Sequence, residues 1–213
     1  IRTLAQLAEA GNPVPIEPQK GHIHTFNKLQ EQAKIQFDSR NQGYKPLTKL
    51  LPLEEGRGLF LLPEPNEHDI FLDLEGARMV EPDGLEYLTG YYYQGKYYAF
   101  WAENEAEERA NFEQFMTWAH ALKQKHPGLH IYHYNHYETT AFKRMMGKYA
   151  VCENEVDDFL RSQTFVDLFR VLRHSLIASV ESYSLKNLEV FFGYERQMDL
   201  REVSLPKSNY EMR

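Results

Sequence analysis

Apolar and polar positions follow two periods along this chain, and the changes of period mark its elements. Residues 2–10 repeat apolar positions at helical spacing, and Gly11 supplies a stop. Pro13, Pro15 and Pro18 make the next segment a stiff linker. Helical spacing returns over 24–40, with Phe26, Leu29, Ala33 and Phe37 on one stripe. This predicts a helical module over 1–43 that connects to a preceding domain. The main domain then runs over 44–213. It opens with a connector of short strand pieces broken by Pro46, Pro52, Gly56 and Gly58, and its regular core begins near Leu59.

Ile70-Phe71-Leu72-Asp73-Leu74-Glu75 reads as a central strand buried on both faces and ended by Gly76. Two runs, 85–93 and 96–101, are joined by Gln94-Gly95 and predict a hairpin, so the first three strands form a meander. A long helix follows over 104–125. Glutamates load its first turn and lysines its last, as the helix dipole favours. Pro127-Gly128 ends it, and 129–134 is a fourth strand. Residues 137–149 form a helix, followed by an acidic helix through Asp157 and Leu160. Phe165-Val166-Asp167-Leu168 is a fifth short strand or the start of the next helix. Ser184 caps a last helix closed by Gly193. The fold class is α/β, a mixed sheet flanked by helices.

Chemistry concentrates at the first long strand. Asp73 and Glu75 stand at i and i+2, on one face of it. Two carboxylates buried in such a strand cost several kcal/mol unless a cation offsets them. A divalent ion held by oxygen ligands resolves the conflict, and hard cations such as Mg²⁺ or Mn²⁺ suit carboxylates. Gly76, just beyond, lets backbone or ligand approach closely.

Composition narrows the classes. With 213 residues and 42% hydrophobic content the chain is neither disordered nor membrane-spanning. A single cysteine, Cys152, excludes an internal disulfide and fits a cytoplasmic protein. The net charge of −7 suits a carboxylate-rich metal nuclease better than a protein that grips phosphates by charge alone. The 14 tyrosines and 13 phenylalanines supply a strand-rich core and permit base stacking. His133 and His136 have a His-x-x-His spacing without a further nearby ligand, which disfavours zinc. His22 and His24 read as solvent-facing. Lys143, Arg144 and Lys186 are available to phosphates, and Asp157-Asp158 reads as a solvated helix start. There is no phosphate-binding glycine loop. The chain starts on Ile1 inside a helical pattern and stops at Arg213 without a turn signal, which reads as a segment of a longer protein.

The element order and the motif Asp73-Leu74-Glu75 resemble the ribonuclease H-like DEDD (DnaQ-like) 3′–5′ exonucleases. Their second motif has its counterpart in Tyr134-Asn135-His136-Tyr137-Glu138, where Glu138 stands in place of the usual Asp. The strings 131–139, 165–168 and 182–186 are similar to a predicted RecB-like nuclease family. The resemblance implies hydrolysis of single-stranded DNA or RNA by two Mg²⁺ or Mn²⁺ ions, about 3.5–4 Å apart. It implies Asp73 as bridging ligand, Glu75 on the ion that activates water, and Glu138 as third ligand. Asp167 is a stand-in for a fourth carboxylate, which the family pattern places beyond Arg213. Gly76, Asn135, Tyr137 and Lys186 are the implied substrate contacts. The implied partners are a neighbouring RecB-like nuclease domain and a helicase domain. The competing expectation is a catalytically lapsed module that positions nucleic acid or a neighbouring nuclease or helicase domain.

Overall fold

The structure, a computed structural model, describes residues 1–11, 23–78 and 84–194. In chain order its elements are α1 (Leu4–Glu9), α2 (Ile23–Asn41), β1 (Thr48–Leu50), a 3₁₀ turn, β2 (Ile70–Ala77), β3 (Leu85–Tyr93), β4 (Lys96–Trp101), α3 (Glu105–Lys125), β5 (Ile131–His133), α4 (Tyr137–Tyr149), α5 (Glu153–Arg161), β6 (Phe165–Asp167), α6 (Leu168–Ser175), β7 (Leu176–Ala178), α7 (Leu185–Leu188) and a second 3₁₀ turn. The described residues fall into two compact units. One lies within Ile1–Phe60 and Val171–Gln197, the other within Leu61–Arg170.

In the first unit β1 and β7 pair antiparallel, Thr48 against Ala178 and Leu50 against Leu176. The short-strand connector is thus in place, whereas its partner at 176–178 was not expected. Helix α2 docks on this ribbon through polar side chains. The Gln32 amide donates to the Ala178 carbonyl at 2.7 Å and Gln36 to that of Val180 at 2.5 Å. On the expected apolar stripe Leu29 is exposed, and Gln30 is buried instead, donating to the Ala10 carbonyl at 2.5 Å. The three-proline linker, His22 and the His24 side chain lie outside the described residues.

The second unit is built on a five-stranded sheet of order β4-β3-β2-β5-β6. β2 pairs antiparallel with β3 and parallel with β5, and β6 extends the parallel half. This is the expected mixed sheet, a meander followed by parallel strands. The hairpin turns at Gln94 and Gly95, both at positive φ (45° and 79°), which suits the twist of the paired strands. Asn104 caps α3, its side-chain oxygen accepting from Glu107 N at 3.0 Å. Helices α3, α4 and α5 pack on one sheet face. There Ile70, Leu72 and Leu74 meet Phe112, Phe115, Met116, Phe142, Met145 and Phe159 in a single core.

The other face corrects the sequence reading of β2. The strand is central but not buried on both faces. Ile70, Leu72 and Leu74 are buried, whereas Phe71 and Asp73 are exposed and Glu75 is half-buried. The reason is that α3, α4 and α5 all lie on the Leu72–Leu74 side. Asp157 and Asp158 are likewise not a helix start. They sit within α5, Asp157 paired with Arg161 and Asp158 with Lys123 at 2.9 Å, a contact that holds the Asp158 carboxyl below its usual range.

Candidate active site

Side-chain alternation along β2 puts Asp73 and Glu75 on the face away from α3, α4 and α5, in the middle of the sheet. Their neighbours follow from the register. Phe71 stacks on Tyr132 of β5, ring centroids 5.2 Å apart. Asp73 stands opposite Gly90 of β3. The missing side chain at Gly90 leaves room for Tyr97, which leans across diagonally from β4. A Cβ at Gly90 would press on the Tyr97 hydroxyl and lie 3.2 Å from Cζ. Burial, then the negative field of Asp73 and Glu75, lifts the Tyr97 phenol above its usual 10.0. Phe71, Tyr92, Tyr97 and Trp101, all on strands of this sheet, are exposed.

The donor chemistry fits a hard divalent ion. Mg²⁺ keeps several waters and takes one or two protein carboxylates plus substrate oxygens, and a pair at i and i+2 on a rigid strand can supply these. Among the described residues no group of three or more His, Cys, Asp or Glu gathers that could hold an ion. The pair therefore fits one water-rich ion, and a second would need further ligands.

Glu138 sits in the first turn of α4, where the sequence puts it, but on the helix-covered side. It is buried, with Oε2 3.4 Å from His133 Nδ1. That nitrogen lies 2.6 Å from the Asn135 carbonyl and donates to it, so Glu138 Oε2 has no hydrogen-bond partner. His133 is buried and His136 exposed, so the two do not form a metal pair. Asp167 ties the chain together. Its Oδ1 accepts from Asn135 N and Phe169 N, both at 2.9 Å, fixing the β5–α4 junction and the start of α6. Asn135 is held at φ 74° by this junction, and its own Oδ1 accepts from His136 N at 2.9 Å. Lys186 lies in α7, in the first unit.

Gly76 and Tyr137 meet somewhere the sequence did not suggest. A β-bulge after Glu75 sets Gly76 opposite Glu86, skipping Tyr87. The Glu86 carboxylate folds over Gly76 and accepts from Tyr137 OH at 2.9 Å and from Arg144 Nη2 at 2.7 Å. The close approach that Gly76 allows is thus taken by the protein's own side chains. Arg144 is likewise engaged by acids of the fold. Burial raises the Glu86 carboxyl above its usual range, against Tyr137 and Arg144, which lower it. Glu108 of α3 continues the network. It accepts from Glu86 N at 2.5 Å, from Lys148 at 3.2 Å and from Tyr149. A cavity of about 310 Å³ opens here, bounded by Arg78, Leu85, Glu86, Tyr137, Thr140 and Arg144. Glu86 and Glu108 were legible in principle. Glu86 interrupts an apolar strand, and Glu108 shares the stripe of Phe112 and Phe115. Replacing Gly76 by alanine should cost about 1–3 kcal/mol, because the new Cβ would lie 2.5 Å from the Tyr137 hydroxyl and closer still to Glu86. Denaturant unfolding measures this, and an unchanged midpoint would show that the two side chains do not close on Gly76.

Cys152 offers no competing nucleophile, since burial, with Glu155 and Glu113, pushes its thiol up to about 11. No helix among the described residues is long and apolar enough to cross a membrane. Neither the curated proteins nor the solved structures yield a match to the chain. A family model described as RNase H superfamily matches residues 70–207, well over half of the sequence. With that match, and with a five-stranded mixed sheet carrying paired acids on its central strand, the chain belongs to the ribonuclease H superfamily.

Proposed function

We propose that this is a metal-dependent nuclease domain that hydrolyses phosphodiester bonds of single-stranded DNA or RNA, removing nucleotides from the 3′ end. The observation that carries the reading is Asp73 and Glu75, side by side on the open face of the central strand. These two would hold the ion. When bound, Mg²⁺ or Mn²⁺ would polarise a phosphoryl oxygen and lower the pKa of a water. The chain's own part is to fix the ligands and receive the strand. Both acids sit on a β-strand and pair across to β3, Asp73 to Gly90 and Glu75 to Leu88, so little reorganisation accompanies binding. The exposed rings of Phe71, Tyr92, Tyr97 and Trp101 can accept unpaired bases by stacking.

Glu138 enters this reading as a third ligand by leaving His133. With Oε2 lacking a partner, that movement gives up no hydrogen bond at that oxygen. The second ion of a two-ion mechanism, the RecB-like nuclease neighbour and a helicase domain beyond it belong to the same proposal and follow from the resemblance. One observation favours a lapsed, binding-only module instead: no three-ligand group gathers among the described residues.

The test is hydrolysis of single strands labelled at either end, in millimolar Mn²⁺ or Mg²⁺ and in chelator. A ladder shortening from the 3′ end, lost in chelator, is expected. Strand binding without cleavage would instead establish the binding module. Glu138→Gln should lower the rate about tenfold or more if the residue joins the ion, and should leave it unchanged if it stays with His133.

A further inference from the structure

The hairpin delivers Tyr97 onto the Asp73–Glu75 face from two strands away. Its register partner is Tyr92, yet its ring lies over Gly90, the residue between Ala99 and Asp73 in the ladder. The glycine is not neutral here. In a strand interior it forgoes side-chain packing, and any Cβ would collide with the phenol. Gly90 and Tyr97 therefore form a matched pair that sets a hydroxyl over the residue paired with Asp73 on the neighbouring strand. The side chain remains largely exposed, so a ligand resting on the acids can reach it.

Resting on the nuclease reading, we propose that Tyr97 is a phosphate-binding residue, its hydroxyl donating to a non-bridging oxygen of the phosphate that lies over Asp73 and Glu75. Two carboxylates repel a phosphate, and an ion held by them would offset that repulsion without supplying a hydrogen bond. The phenol supplies the donor. It brings no positive charge that would compete for the carboxylates, as a lysine or arginine there would. It also explains why a strand edged with acids tolerates an exposed tyrosine over a glycine.

The test is Tyr97→Phe, which keeps the ring over Gly90 and removes only the hydroxyl. Its melting temperature should match wild type. Thymidine 5′-monophosphate is the probe, titrated with and without Mn²⁺. Wild type should bind it in Mn²⁺ at least fivefold more tightly than Tyr97→Phe, and the difference should vanish in chelator. A purely structural tyrosine would not produce an Mn²⁺-dependent difference. In the cleavage assay kcat/KM should fall about 10–100-fold. Equal affinity of the two proteins for the nucleotide, or no binding by wild type, overturns the assignment. A nucleotide affinity that depends on Tyr97 in a protein that cleaves nothing would keep the phosphate contact and overturn the nuclease reading alone. Normal cleavage by Tyr97→Phe would do the reverse.

Discussion

Replacing Asp73 by asparagine should remove both the metal response and the nuclease activity of this protein. In wild type, an ion at ten times its dissociation constant stabilises the folded state by about 1.4 kcal/mol through mass action. For a chain of this size that is roughly 3–6 °C in melting temperature. The variant should show no such shift with Mn²⁺ or Mg²⁺. Without metal it should melt at or above wild type, since one of two like charges on the strand face is gone. Activity should fall about 100-fold or more, because the ion's transition-state stabilisation is worth several kcal/mol and each 1.36 kcal/mol is tenfold. Thermal melts and the end-label assay read the two effects separately. A metal-induced shift that persists in the variant would place the ion elsewhere. Identical melts with and without metal in wild type would remove the site altogether.

The second large effect belongs to the fold. Glu108→Ala should destabilise the protein by roughly 3–5 kcal/mol, about 10 °C or more in melting temperature. Glu108 is 1% exposed and is the shared acceptor for Glu86 N, Lys148, Tyr149 and Arg144. Its removal leaves the Glu86 N–H of the β-bulge without its acceptor and takes from Lys148 its buried carboxylate partner. Burial works against the charge on Lys148, yet Glu105, Tyr149 and Glu108 together lift its ammonium pKa above the usual value. The hydroxyl of Tyr149, raised to about 12 by burial and by Glu108, stays protonated and donates. Glu105→Ala is the matched control. Glu105 also meets Lys148, at 2.9 Å, but is half exposed, so its loss should cost under about 1 kcal/mol. Equal melting of the two variants would show that the buried network is not what holds α3 and α4 to the bulge.

Much of the second unit was readable one segment at a time. The β3–β4 hairpin follows from two apolar runs and a Gln-Gly turn. The capped, dipole-matched α3 and the α4 span are each set by contacts within a few residues. The placement of Asp73 and Glu75 on one face is equally local, because a strand has a period of two. Glu138 is the instructive contrast. Its position at a helix start was legible, whereas its direction, toward His133 rather than toward the open face, depends on how α4 crosses the sheet. Asp167 shows the same division. The sequence marks an acid at the end of a strand, and only the packed junction shows it bound to Asn135 and Phe169.

The amino-acid sequence by itself determined the periodicities, the turns, the helix ends and the pairing of the two acids, because each depends on interactions between near neighbours. Tertiary structure alone decided which side of β2 the helices would cover. It also decided that β1 would find β7 from far along the chain, that Glu86 would close over Gly76, and that Tyr97 would lean over Gly90. Alternation fixes which residues share a face but is symmetric between the two faces. The symmetry is broken only when α3, α4 and α5 bury their apolar stripes against Leu72 and Leu74, and that burial sends the two carboxylates to the opposite face.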